Sequence, residues 1–441
     1  MRGSAGALHG WPRWLYSAAL YGLAPLIWWR VWRESLPSRS RRERLGLIDA
    51  GPHEQPVIWL HAASVGEVLA AGPLIDALCS RYPNHRLAIT TMTATGAERV
   101  GVLAKKRLDS GAVGEVSHYF VPLDFPGAAR RFATSLRPSL AIFFETELWP
   151  NLLHACHRRN IPLAVVNGRL SAKAMRDYRR IGALMAGALG NVDWLAAKSA
   201  QDAERFRQLG MADERITIVG SLKFDIRLDD RLNADSGRLR TVIGDRLIWV
   251  AGSTHPGEDE QVLAAHRLLR QRHPSALLIL VPRHPARFDE VAALCQRDGE
   301  RVARRSKGEP VETDTTVYLG DTMGELLALY GAADAAFVGG SLVPIGGHNL
   351  LEPAALGVPV LSGPELANFS DVAETLRETA ALIEVADGTS LGEALIALLD
   401  DPAERQRRAS AGRAAIEANR GALTRTLEGL ERLLPAPAWP G

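Results

Sequence analysis

The sequence predicts an α/β protein of two doubly wound, parallel-sheet domains, and three observations lead there. Short β-branched or aliphatic runs alternate with helical stretches from Gly51 onward, which is repeated βα wiring. The alternation breaks once, at a polar segment, and then restarts. The chain has 441 residues, 46% of them hydrophobic and 23% charged, more than one core usually holds when domains average about 150 residues.

Each element follows in order. The first half carries the runs VIWLHAAS, LAITTMT, HYFVPLD, LAIFFET, PLAVVNG, WLAAKS and ITIVGS, each followed by a helical or turn segment; these read as strands of one parallel sheet covered on both faces. From Ile226 to Arg246 the chain is polar, charged and poor in strand signal, so residues 226–246 are read as a linker. LIWVAGS, ALLILVPR, TVYLGD, AAFVGGS and VPVLSG then form the second sheet, residues 247–434 the second domain, and 435–441 a disordered tail. Residues 49–225 are the first domain. Ligands of doubly wound sheets bind beyond the carboxyl ends of the strands, so two such domains facing one another are expected to form a cleft.

Residues 1–48 depart from this pattern. No residue from Trp14 to Trp29 is charged, and Arg30, Arg33, Arg39, Arg41, Arg42 and Arg44 follow. Such clusters stay on the cytoplasmic face, where anionic lipid attracts them, with Trp28, Trp29 and Trp32 at headgroup depth. The run is short for a span, which needs about 20 residues, and Pro25 would kink it. An anchor dipping into or crossing the inner membrane is the expectation, against a buried helix of a soluble domain. The rest is nearly neutral: 52 Lys and Arg against 50 Asp and Glu leave a formal charge of +2, too little to attract nucleic acid globally. The three cysteines, Cys79, Cys156 and Cys295, lack metal or redox spacing, as in a reduced, cytosol-facing protein.

Candidate chemistry sits at predicted strand ends. In FVGGSLVPIGGHNLLEPAALG, Gly339, Gly340 and Ser341, then Gly346 and Gly347, precede a helical segment; glycines that let backbone N–H groups approach a phosphate, with a helix N-terminus behind them, read as an anion cradle. Glu352 stands one turn into that helix, placed for a ribose diol. VPRHP sets Pro282 and Arg283 after a strand, and GDTMGEL sets Met323, Gly324 and Glu325 after another, where backbone groups can read a base edge. In the first half Glu67 begins a helix after VIWLHAA, and a carboxylate there can take a proton from an attacking hydroxyl; helix capping is its ordinary alternative. FFETELWPN places Glu145 and Glu147 at another strand end, and GSLKFD places Lys223, which can counter charge on a departing phosphate. No pattern requires a metal, and no cofactor is expected. No Gly-x-Gly-x-x-Gly follows the first strand, which disfavours a dinucleotide dehydrogenase.

Together HAASVGE, TTMTATGAERV, ETELWPN, NGRLSAKAMRDY, GSLKFD, PRHPARF, GDTMGEL and FVGGSLVPIGGHNLLEPAALGVPVLSGP resemble one family nearly end to end, the 3-deoxy-D-manno-octulosonic acid (Kdo) transferases of Gram-negative lipopolysaccharide synthesis. The resemblance implies two Rossmann-like domains in the GT-B glycosyltransferase architecture, and inverting transfer of Kdo from CMP-Kdo to the lipid A precursor lipid IVA at the inner membrane, without a metal in the site. It makes Glu67 the base and Glu145 and Lys223 transition-state supports. It maps CMP onto Pro282, Arg283, Met323, Gly324, Glu325, Asn349, Leu350, Leu351 and Glu352. One departure is a longer connection around Lys105 to Glu115. Another GT-B transferase, using a UDP-sugar and a lipid-linked acceptor, is the alternative. Acceptor contacts are not legible, although Arg169, Lys173 and Arg176 are candidates for lipid phosphates.

Overall fold

A computed structural model describes residues 10–33, 36–51, 55–109, 111, 114–225 and 230–434. Part of the expected linker, three positions of the Lys105 to Glu115 connection and the tail lie outside these residues. The chain divides into two compact units, Met1–Asp225 with Arg420–Gly441, and Ile226–Asn419.

The first unit holds β1 (Val57–His61), β2 (Arg86–Thr91), β3 (Val116–Phe120), β4 (Leu140–Phe144), β5 (Leu163–Gly168), β6 (Trp194–Ala197) and β7 (Ile216–Ile218), in the order β3-β2-β1-β4-β5-β6-β7. Every pairing is parallel. Alternate side chains of one strand enter different cores: Trp59 and Phe143 pack with Phe132 and Leu152, while Ile58, Leu60 and Ile142 pack with Leu74 and Val166. Both faces are therefore buried, which is why these strands read as continuous apolar runs. Burying one such side chain stabilises by roughly 1.5–3 kcal/mol.

The second unit repeats the plan with β8 (Ile248–Thr254), β9 (Leu277–Pro282), β10 (Val302–Arg304), β11 (Val317–Leu319), β12 (Ala335–Val338), β13 (Val360–Ser362) and β14 (Leu382–Glu384), ordered β10-β11-β9-β8-β12-β13-β14 and all parallel. Setting aside the edge strands β10 and β7, the two units share one six-stranded winding. Strand order reverses between β1 and β4 in one sheet and between β8 and β12 in the other.

The structure differs from expectation at three places. The segment read as a linker contains a 14-residue helix, Asp230–Ile243, whose Leu239 and Ile243 are buried while Arg240 pairs with Asp334 at 2.9 Å. The C-terminal helix Ala422–Glu431 belongs to the first unit: Ala422, Leu423 and Leu430 join the core under β1 and β4, and Gly429 lets the helix lie on the Trp194 ring, 2.1 Å from where a Cβ would stand. In place of one anchor helix there are two short ones, Trp11–Gly22 and Ala24–Arg33, and no described helix is long and apolar enough to cross a membrane.

The helix Trp11–Gly22 is docked by polar contacts. Arg13 Nη1 and Ser17 Oγ each donate to Asn151 Oδ1 at 3.1 Å, and Tyr21 meets the Phe125 ring at 5.2 Å. Asn151 in turn donates its backbone N–H to Asp124 Oδ2 at 3.0 Å. Burial pushes the Asp124 carboxyl up to about 7 despite the N–H groups of Asn151 and Leu152. Outward, Trp11, Trp14, Leu15, Leu26, Trp29 and Trp32 remain exposed.

Asp225 caps the returning helix: its carboxylate accepts from Gly421 N at 2.7 Å and Leu423 N at 2.5 Å. Replacing a capping carboxylate costs about 0.5–2 kcal/mol. Asp225→Ala is expected to speed amide hydrogen exchange from Leu423 to Leu430 by the corresponding factor, on the order of 10-fold, with the Asp230–Ile243 helix unchanged; equal exchange in both helices would contradict the cap.

Candidate active site

In the first unit the carboxyl ends of β1 and β4 flank the reversal point, where doubly wound sheets place ligands. The helix Val65–Ala70 follows β1 with Ser64 as its N-cap. Glu67 N donates to Ser64 Oγ at 3.3 Å, Ser64 Oγ donates back to Glu67 Oε1 at 2.9 Å, and Ala63 N donates to Glu67 Oε2 at 2.8 Å. The capping alternative is thus real, and it also fixes the carboxylate at the sheet edge. Burial raises the Glu67 carboxyl to about 7, helped by the charges of Glu147 and Glu145 and opposed by Ala63 N and Ser64.

Glu145 directly follows β4 in a left-handed conformation, φ 61°, with its N–H bonded to Val166 O at 2.9 Å. Non-glycine residues in that region cost about 1–3 kcal/mol and gather at functional sites. Glu147 is bound into the fold. Burial alone would raise its carboxyl, but His61 and Trp149 hold it below the ordinary value, with His61 Nε2 3.5 Å from Oε2 and Trp149 Nε1 donating at 2.7 Å. His61, the last residue of β1, is fully buried, its Nδ1 2.9 Å from Thr90 Oγ1. His61 opens the HAASVGE run, but in sequence a histidine at the end of an apolar strand cannot be told from core. Lys223 is half-buried in the short turn Leu222–Phe224, tied to the end of β5 by Leu222 N and Asn167 Oδ1 at 3.4 Å. Glu67, Glu145 and Glu147 are therefore brought together, and Lys223 stands on the same edge of the sheet.

In the second unit the expected cradle at Gly339–Ser341 is already filled. The Glu258 carboxylate, fully buried, accepts from Gly340 N at 2.7 Å and His255 N at 3.0 Å on one oxygen, and from Ser341 N at 3.0 Å and Leu342 N at 2.9 Å on the other. These N–H groups face the protein's own anion, so this turn is not the phosphate site.

The remaining positions follow β9, β11 and β12 in the same sheet. Pro282 is buried at the end of β9 and Arg283 is exposed, its N–H bonded to Thr254 O at 3.0 Å. Leu350 and Leu351 are core residues, 0% and 1% exposed, so only their backbone can meet a ligand. Asn349 Nδ2 donates to Glu352 Oε1 at 3.0 Å, and burial raises the Glu352 carboxyl against Asn349 and Arg283. Met323 is 64% exposed and Gly324 adopts φ 86°. Glu325 is clamped by Arg305, Nε to Oε2 at 2.8 Å and Nη2 to Oε1 at 2.5 Å, and this pairing holds its carboxyl below the ordinary value. The Met323–Glu325 turn thereby offers backbone rather than side-chain polar groups. A cavity of about 650 Å³ lies beside it, lined by Leu239, Val242, Arg305, Tyr318, Gly324 and Glu325 among others.

Two doubly wound sheets with acidic and basic groups at their reversal points fit a glycosyltransferase, and the comparisons agree. Residues 245–415 match the family described as glycosyl transferases group 1. A glycosyltransferase structure from Rickettsia africae, 13% identical, covers 87% of this chain and 99% of its own with a TM-score of 0.52, which shows the shared fold. Residues 39–226 match the family described as 3-deoxy-D-manno-octulosonic-acid transferase. The 3-deoxy-D-manno-octulosonic acid transferase of Haemophilus influenzae is 40% identical over 96% of this chain and 99% of its own length, and that of Bordetella pertussis is 38% identical over 95% and 99%. The chain belongs to the Kdo transferase family.

Two measurements test the geometry. Glu258→Gln sets an amide N–H against backbone donors, and leaving such groups unpaired costs about 1–3 kcal/mol each; thermal unfolding of the second unit is expected to show a loss of at least about 2 kcal/mol, where a surface carboxylate would lose almost nothing. NMR titration of the Glu67 carboxyl is expected to give a midpoint near 7 and, because a like charge has been removed, a lower midpoint in Glu147→Gln. An unchanged midpoint would mean that burial alone sets it.

Proposed function

We propose that this Kdo transferase moves Kdo from CMP-Kdo to lipid IVA with inversion at the anomeric carbon. The observation that carries the reading is Glu67, a carboxylate held by Ser64 and Ala63 at the sheet edge with its proton affinity raised to about 7. A base is most effective when its pKa lies near the working pH. Glu67 takes the proton of the acceptor hydroxyl as that oxygen attacks the anomeric carbon; the bond from that carbon to the phosphate oxygen breaks, and CMP leaves with the electron pair. Lys223 offsets charge on the departing phosphate, and Glu145 supports the same transition state. CMP is held by Pro282 and Arg283, by the backbone of Met323, Gly324 and Glu325, and by Asn349, Leu350, Leu351 and Glu352.

The acceptor reading rests on Arg169 just after β5 and on Lys173 and Arg176 of the basic helix Ala172–Arg180, all exposed and suited to the phosphates of an acylated disaccharide. The N-terminal helices support attachment to the cytoplasmic side of the inner membrane. Their exposed tryptophans stand beside arginines, Arg33 4.6 Å from the Trp29 ring and Arg41 4.1 Å from that of Trp32, the composition of a helix pair lying in an anionic interface.

Glu67→Gln is expected to lower kcat by about 10²–10⁴-fold with CMP affinity unchanged; near-normal turnover removes Glu67 as the base. Mass analysis of the product from CMP-Kdo and lipid IVA identifies donor and acceptor together, and a preference for UDP over CMP in competition binding would replace the donor assignment. Joint replacement of Trp29 and Trp32 by alanine is expected to weaken co-sedimentation with phosphatidylglycerol vesicles; undiminished binding would place the contact elsewhere.

A further inference from the structure

Three histidines stand at the carboxyl ends of neighbouring strands of the second sheet: His255 after β8, His284 after β9 and His348 beyond β12. The rings of His255 and His348 are 7° from parallel with centroids 5.0 Å apart, and their Nε2 atoms are 2.8 Å apart, so the rings meet edge to edge through these nitrogens. His284 meets the His255 ring edge-on at 5.3 Å. Two ring nitrogens at hydrogen-bond distance require one N–H between them, so one ring donates from Nε2 and the other accepts. The donating ring then has a bare Nδ1. A proton added there makes it an imidazolium and strengthens the shared bond; a second proton, on the accepting nitrogen, would break it. The pair is a receptor for one proton.

Its surroundings bias it toward an anion. The titratable and charged groups facing it are Arg283, Arg287, His284 and Glu258. Glu258 is spent on four backbone N–H groups, Arg287 is paired with Asp259 at 2.6 Å, and Glu352 beyond Arg283 is bonded to Asn349. Arg283 makes no ion pair among the described residues. Burial first, and then neighbours that include Arg283, disfavour the protonated form of both rings, with His348 pushed down to about 4 and His255 lowered.

We infer that the His255–His348 pair takes up one proton from solvent when the phosphodiester of the sugar donor binds beside Arg283. The inference rests on the donor reading above, in which Asn349 directly follows His348 and Arg283 is among the charged groups that act on both rings. An anion within about 4–6 Å raises a histidine pKa by roughly 1–3 units, so binding strengthens as the pH falls.

Cytidine 5′-(methyl phosphate) is a suitable probe, because its phosphodiester does not itself titrate near neutrality. Calorimetry of the full chain at pH 5.5, in two buffers of different ionisation enthalpy, is expected to show uptake of about half a proton or more, with affinity on the order of 3- to 10-fold higher at pH 5.5 than at pH 7.5. In His348→Gln the uptake is expected to disappear while weakened binding persists, and His255→Gln is expected to behave alike. Binding by the wild-type chain with no uptake, or uptake retained in both variants, overturns the inference and leaves the donor reading intact. Uptake driven by free Kdo and not by the ester overturns it in favour of the sugar carboxylate. If neither CMP nor the ester binds, the donor reading falls, and this inference with it.

Discussion

A parallel sheet packed on both faces leaves its side chains one place for chemistry, the loops at the strand ends, and both units are organised by that constraint. The backbone shows where the consequence is felt. Among the described residues six non-glycine positions adopt positive φ. Arg137, Asn160 and Ala380 follow the helices ending at Leu136, His157 and Glu378, where a left-handed residue is an ordinary way to stop. Glu145, Asn167 and Ser253 instead lie at the carboxyl ends of β4, β5 and β8. No helix cap accounts for them; they turn the chain sharply at the edges where a ligand would sit.

Several carboxylates share those edges, and their partners separate them. Glu258 has four backbone donors, Glu325 a guanidinium fork, and Glu147 a histidine and an indole. Each is tied into the framework by these partners, which hold the Glu325 and Glu147 carboxyls below the ordinary value. Glu67 has two donors, but burial and two neighbouring carboxylates outweigh them. Its folded proton affinity exceeds the unfolded one, so its contribution to stability is present below the ordinary carboxyl range of about 4.5 and is lost as the pH rises toward about 7. A group that destabilises the fold in its ionised form near neutrality is retained for chemistry or capping, and the Ser64 contact shows that it can do both.

How much of this was legible depended on distance along the chain. The central strands were, because burial on both faces forces continuous apolar runs. The edge strands β10 and β14 were not: each has three residues and carries Arg304 or Glu384, which reads as loop. The helix Asp230–Ile243 was hidden by polar residues around the narrow stripe of Ser236, Leu239 and Ile243. The return of Ala422–Glu431 to the first unit could not be read, since an amphipathic helix does not specify which core it covers. Glu67 was legible because its capping partners are three and four residues away. The role of the glycine turn was not, because the anion that fills it lies 82 residues earlier.

That filled turn changes how the second site works. An empty cradle of backbone donors would be costly to fold and would gain its anion only on binding. With Glu258 in place the donors are satisfied beforehand, and Gly339 can lie against Ser253, whose carbonyl oxygen is 2.7 Å from where a Cβ would stand. The turn is rigid before any ligand arrives, which spares binding the cost of ordering it. In the proposed donor reading, recognition of a negative charge then passes to Arg283, the His255–His348 pair and the backbone after Asn349. These groups are set by a scaffold that already contains its own counter-charge.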